Sequence, residues 1–283
     1  MGKSATPFKD IGKSCSDLLS KDFKVGKNTV EVKTKTANGV TFTPLATKSG
    51  DSVSGSLAAK YLFPFGVSAE TTLTTAGTLA TQLEGAVAKG MILTVDAETG
   101  KSAALASGKA TLDYKKDMMT CKASYDYYKG EAAAAASGTY GAITVGGSLD
   151  YSVPKSAMTK YAAAAEFSAA DYSVAAKLSE VLAKADSKTY ECSYFHKVSP
   201  AMQVGTEVKM AKGKDVGLAF GCMYKVDKDT TVKSKVDADG ILSASYKQKV
   251  SSMTTLTLAA TVDTVNLNES SKHKFGMAVN ITP

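Results

Sequence analysis

The last twelve residues read KHKFGMAVNITP, Lys272 to Pro283. Phe275, Met277, Val279 and Ile281 occupy alternate positions, with Lys274, Gly276, Ala278, Asn280 and Thr282 between them. A period of two with one apolar face is a β-strand. What that face meets, a packed core or lipid, decides the fold.

Working back from this strand, the same period recurs along most of the chain. Val30, Val32, Thr34 and Thr36 alternate with Glu31, Lys33 and Lys35, and Asn38-Gly39 then supplies a tight-turn pair. Val53, Gly55, Leu57, Ala59 and Tyr61 alternate with Ser52, Ser54, Ser56, Ala58 and Lys60. Val145, Gly147, Leu149 and Tyr151 stand against Thr144, Gly146, Ser148 and Asp150. Leu256, Leu258, Ala260 and Val262 stand against Thr255, Thr257, Thr261 and Asp263. Polar breaks such as Gly100-Lys101, Asp227-Lys228-Asp229 and Asp237 to Gly240 separate the runs. The spacing, about 13 to 15 residues, fits strands of ~9–11 residues joined by short turns. The run Ala132 to Ala136 reads either way, since alanine prefers helix.

The first 25 residues differ. Phe8, Ile11, Cys15, Leu18 and Leu19 form one stripe at helical spacing, behind Pro7, which suits a first turn. Lys9, Lys13, Ser14, Asp17 and Lys21 cover the other side. The expected organisation is therefore a segment 1–25 carrying an amphipathic helix, followed by an all-β unit over 26–283.

Composition narrows the function. No run approaches the ~18 apolar residues of a spanning helix, and the mean hydropathy of -0.08 suits a soluble protein or a membrane barrel equally. The N-terminus has neither a secretory h-region nor an Arg-rich transit pattern; Met1-Gly2-Lys3-Ser4-Ala5-Thr6 matches the loose pattern for N-acylation. The four cysteines are far apart and form no C-x-x-C, so neither a disulfide framework nor a metal site is expected. All 34 basic residues are Lys; without Arg for bidentate contacts, nucleic acid is not an expected partner. Gly12-Lys13-Ser14 and Gly100-Lys101-Ser102 lack the earlier glycine of a phosphate loop, holding Pro7 and Val95 instead. With two histidines and no G-x-S-x-G, no enzyme and no cofactor are expected. The sequons at Asn268 and Asn280 have no secretory signal to serve.

Two architectures remain from pattern alone. A soluble sandwich or propeller would fill its core with large side chains. Here there is no Trp, and apolar-face positions often hold Gly, Ala or Thr. A long meander must also close to lose its edges, and seventeen or so strands would enclose water.

At this point the residues resemble a known family, the mitochondrial outer-membrane porins or voltage-dependent anion channels. Phe8-Lys9-Asp10-Ile11-Gly12-Lys13 with Asp17 to Phe23 is similar to the family's N-terminal helix. Val30 to Thr43 is similar to its first hairpin, and Phe195-His196-Lys197-Val198-Ser199-Pro200 to one of its turns. Lys274, Gly276, Val279 and Ile281 fit its C-terminal assembly signal. The resemblance implies a 19-stranded transmembrane barrel, the strand count known for this channel, with the helix inside the lumen. It implies a voltage-gated, weakly anion-selective, multi-pass channel of the mitochondrial outer membrane. Permeants would include ions, small metabolites and nucleotides such as ATP and ADP. The partners it implies are membrane lipid, the outer-membrane insertion machinery, cytosolic kinases and further copies of the chain. The alternatives are the channel subunit of the outer-membrane protein translocase and a soluble all-β binding protein.

On this reading Phe275 to Ile281 meet lipid. Lys13, Asp17 and Lys21 match charged positions of the family's helix, with Lys13 and Lys21 the candidate nucleotide contacts. Phe8, Ile11, Leu18 and Leu19 would pack the helix on the barrel, and Gly26 would be what remains of a glycine-rich hinge. By parity Lys33, Lys35, Lys60, Lys122, Lys233 and Lys235 line the pore; an ammonium facing lipid would cost roughly 2–4 kcal/mol at the midplane. The sequence departs from the family at Gly90-Met91-Ile92, where a lysine is missing, and at Thr71, where animal members carry a lipid-facing Glu.

Overall fold

The computed structural model describes residues 5–100, 104–184, 186–269 and 272–283. Met1–Ser4 of the acylation pattern, Lys101 and Ser102 of the second Gly-Lys-Ser, and Ser270 of the first sequon lie outside the described residues. A 3-10 turn (Phe8–Asp10) and helix α1 (Lys13–Ser20) are followed, among the described residues, by a long run of strand segments. The first half holds β1 (Asn28–Val32), β2 (Thr34–Lys35), β3 (Thr41–Ser49), β4 (Ser52–Leu62), β5 (Val67–Thr74), β6 (Leu79–Ala88), β7 (Met91–Thr99), β8 (Leu105–Lys116), β9 (Met119–Asp126) and β10 (Glu131–Tyr140). The second holds β11 (Ile143–Ser152), β12 (Ala157–Ser168), β13 (Tyr172–Val181), β14 (Thr189–Lys197), β15 (Met202–Ala211), β16 (Gly217–Lys225), β17 (Thr230–Asp237), β18 (Ile241–Lys249), β19 (Thr254–Asp263) and β20 (Lys274–Ile281).

β1 and β2 are two pieces of one strand interrupted at Lys33, so the twenty segments make a closed barrel of 19 strands. Neighbours in the chain pair antiparallel throughout. The seam is the exception: β1 runs parallel to β20, with Val30 opposite Val279 and Val32 opposite Ile281. An odd strand number requires one such parallel pair. The backbone N–H of Lys33 donates to the Ile281 carbonyl at 2.8 Å, carrying the ladder across the interruption. The alanine run settles as strand β10, where cross-strand pairing overrides propensity.

Pairing preserves faces, so one anchored residue assigns the whole wall. Gly146, Gly205 and Gly221 lie under the helix segment and therefore point inward. Parity then turns Val30, Leu57, Leu149, Phe220, Leu258 and Phe275 outward. Val53 is 72% exposed and Phe275 71%. Large side chains of this kind recur around the entire outer surface, the reverse of a protein folded around a dry core. Buried apolar residues are few and cluster where the N-terminal segment meets the inner wall.

Candidate functional site: the lumen and its helix

The N-terminal segment is seated along the inner wall by the stripe read from the sequence. Ile11 packs with Ala164 and Ala175, and half-buried Phe8 lies against them. Cys15, Leu18 and Leu19 pack with Phe195, beside Ala219 and Met223. Wall glycines give the segment its seat: a Cβ on Gly205 would stand 3.0 Å from Leu18 Cδ2, and one on Gly221 would stand 2.6 Å from Leu19 Cδ2. The expected single helix is broken into a 3-10 turn and α1, because Gly12 adopts φ +75°, and its N–H donates to Glu166 Oε2 at 3.1 Å. The Cys15 thiol donates to the Thr206 carbonyl at 3.3 Å, and burial pushes its pKa up to about 11, with Glu207 and Glu191 acting in the same direction.

The charged side of the segment faces open lumen, and four of its charges form two pairs. Lys13 meets Asp10 at 2.7 Å and Lys21 meets Asp17 at 2.7 Å. The hydrogen bond from Lys13 to Asp10 holds the ammonium pKa above its ordinary value. On the wall, Lys60 pairs with Glu70 at 3.2 Å, Lys122 with Asp113 at 3.0 Å and Lys233 with Asp22 at 2.8 Å. Lys235 sits over the Phe23 ring, 5.2 Å from its centroid. Lys33 and Lys35, both exposed, have no ion pair among the described residues. Register puts Lys35 opposite Thr41, and Thr41 opposite Lys60, on the inner face.

The Eukaryotic porin family model matches residues 5–276. The chain belongs to the eukaryotic porin family. It is 32% identical to a mitochondrial outer membrane protein porin of Neurospora crassa over 95% of this chain and 96% of that protein. It is 27% identical to the non-selective voltage-gated ion channel VDAC2 of Xenopus laevis over 97% of this chain and 98% of that one. Among solved structures, an engineered variant of the Rh. blastica porin superposes with TM-score 0.53 at 14% identity, covering 79% of this chain and 88% of that one, a likeness of fold. The soluble all-β alternative falls with the closed barrel and its apolar outer surface.

Other features of this porin were not singled out from sequence. Asp22 receives both Lys233 and, at 3.4 Å, Lys247. Glu191 and Glu207 flank Lys209 at 3.7 and 2.6 Å. The same parity that turned lysines inward would have turned Glu70, Asp113 and Glu207 inward beside them; reading one sign of charge hid the pairing. Gly276, assigned to the assembly signal, also has a packing reason to be glycine, since a Cβ there would run into the Lys24 carbonyl where the linker crosses β20. The Gly26 N–H donates to the Phe275 carbonyl at 2.7 Å, which stitches the expected hinge into the seam. At the position where animal members carry a Glu, Thr71 faces outward and meets Thr81 across the pair at 3.4 Å; Glu70 faces inward.

Proposed function

We propose that this chain is a voltage-gated, weakly anion-selective channel of the mitochondrial outer membrane, passing ions, small metabolites and nucleotides. The observation that carries the reading is a wide closed barrel whose inner face bears lysines and paired carboxylates while its outer face is apolar. Nineteen strands spaced about 4.8 Å apart and tilted about 40° form a wall roughly 38 Å across, too wide for side chains to fill. The relatives' names, mitochondrial porin and voltage-gated ion channel, point to the same activity and membrane and favour a channel over the translocase subunit. Selectivity would be weak because five of the eight candidate lysines, Lys13, Lys21, Lys60, Lys122 and Lys233, pair with a carboxylate. Lys13, Asp17, Lys21, Lys33, Lys35, Lys60, Lys122, Lys233 and Lys235 would set the field met by permeants, with Lys13 and Lys21 as transient phosphate contacts. No catalytic step is assigned to the lumen. Phosphate-bearing metabolites are the permeants; lipid surrounds the barrel, and kinases, the insertion machinery and further copies are its partners.

The test is single-channel recording of the refolded chain in a planar bilayer under a salt gradient and a voltage ramp. Large steps with an anion-favouring reversal potential, dropping to substates at both polarities, are expected. Replacing Lys13 and Lys21 by Glu should then move the reversal potential toward cations. A folded, inserted barrel without conductance would overturn the reading.

A further inference from the structure

The linker between helix and barrel is held by a device the fold alone does not require. Asp22 adopts φ +72°, a left-handed conformation that non-glycine residues adopt mainly when they are Asn or Asp. That turn aims its carboxylate at the wall, where Oδ2 meets Lys233 at 2.8 Å and Oδ1 meets Lys247 at 3.4 Å. Lys233 lies on β17 and Lys247 on β18, so one side chain ties the linker to two strands. The Lys233 side chain is only 11% exposed, and its ammonium also donates to the Lys21 carbonyl at 3.4 Å. The next residue, Phe23, lies under Lys235 of β17. Behind the linker is a lumenal recess of about 590 Å³ bounded by Asp22, Lys24, Lys27, Lys247 and Asn280. Asp22 and Phe23 thus fasten the start of the linker beside this recess, while backbone bonds to Phe275 and Met277 fasten its end. A paired, partly desolvated carboxylate is worth more than an exposed one, because losing it strands the mostly buried Lys233 ammonium.

We propose that Asp22, with Lys233 and Lys247, is an ionic latch that keeps the helix seated on β14–β16 and thereby holds the channel in its fully open level. Asp22 is a positioning residue in this scheme, acting through the helix. The gating half rests on the channel reading above, whereas the seating half is measured without any current.

Cys15 reports on the seat. It is 2% exposed, and its thiol, raised by burial, is protonated at neutral pH; lifting the helix exposes it and returns it to an ordinary, reactive range. In a background carrying Cys121→Ser, Cys192→Ser and Cys222→Ser, the labelling of Cys15 by a water-soluble maleimide at neutral pH follows unseating. Asp22→Asn keeps a residue suited to left-handed backbone and removes only the charge; it should raise the labelling rate about tenfold or more. Lys233→Met with Lys247→Met attacks the latch from the wall and should raise the rate similarly. Combining all three should add little, the mark of one shared interaction. In bilayers the same variants should leave the open level at lower voltage. Labelling within twofold of the background for Asp22→Asn, or independent additive effects of the two sides, would overturn the latch. Faster labelling with an unchanged gating voltage would overturn its link to the open level, whereas wild-type protein that conducts but never gates would overturn the voltage-gated part of the proposed function, and wild-type protein that does not conduct would overturn the channel reading itself.

Discussion

At Gly276 an added methyl would strike the Lys24 carbonyl and, at 2.9 Å, the Val25 Cα. Both are backbone atoms, so relief requires moving the linker away from β20. Gly147 faces outward, and a Cβ there meets only the Ala162 carbonyl at 3.4 Å, an ordinary contact. Gly276→Ala should therefore cost about 1–3 kcal/mol as an overpacked site, while Gly147→Ala should leave the thermal midpoint in detergent almost unmoved. Similar losses from both would show that strand propensity, not the crossing linker, sets the cost. Asp22 gives a pH prediction at the same scale. Burial alone would raise its carboxyl pKa, but the ammonium groups of Lys233 and Lys247 outweigh burial and hold it below the ordinary value. Lys235 of β17 stands over neighbouring Phe23, and the recess adds Lys24 and Lys27 of the linker with Glu31 of β1. A depressed carboxylate contributes stability that is fully present above its unfolded pKa and lost as pH falls through the folded one. Helix seating should thus be unchanged from neutral pH to about 5 and weaken only below about 4. The wall beside Cys15 carries other carboxylates, so the comparison is between wild type and Asp22→Asn. Thiol labelling itself slows in acid, so seating is followed here by proteolytic release of the N-terminal segment with an acid-active protease. If the variant shows the same acid-dependent release as wild type, Asp22 is not its source.

For the elements, the decisive contrast is between a ladder that closes on itself and a helix that merely rests inside it. Every strand has two hydrogen-bonded neighbours, while α1 contributes two leucines and a cysteine to a small cluster. Leu18→Ala with Leu19→Ala removes most of that apolar contact, each truncation costing about 2–5 kcal/mol in a fully packed site. Far-UV circular dichroism should retain the strand signal, while the Cys15 labelling rate rises; loss of both together would mean that the helix is needed to close the barrel. How much of this was legible varies by element. The stripe Phe8, Ile11, Cys15, Leu18, Leu19 could be read because each member lands on one face. The break at Gly12 could not, because it depends on Glu166, which is 154 residues away. The strands were legible wherever Val, Leu or Tyr marked one face, and illegible over Ala132 to Ala136, where both faces carry the same side chain. The strand count came from resemblance, since the parallel seam joins Val30 to Val279 and leaves no local mark in either.

Across the whole molecule, charge arrangement sets the expected selectivity more than charge number. The chain carries a net +7, yet Lys13, Lys21, Lys60, Lys122 and Lys233 each lie within 3.2 Å of a carboxylate. A pair of opposite charges looks nearly neutral beyond a Debye length, about 10 Å at 0.1 M salt, which is short against a lumen tens of ångströms wide. On the proposed channel reading, the lysines that would act on passing ions at moderate salt are those without such a partner among the described residues, Lys33 and Lys35 among them. Lys33→Gln with Lys35→Gln should accordingly lower anion preference in a salt gradient, and lower it more at about 0.1 M than at about 1 M salt. Lys122→Gln with Asp113→Asn removes one charge of each sign from neighbouring strands and should leave the reversal potential where it was. Equal shifts from the two double variants would mean that the Asp113 carboxylate offsets none of the Lys122 charge, and that parity by itself is enough to find the residues that select.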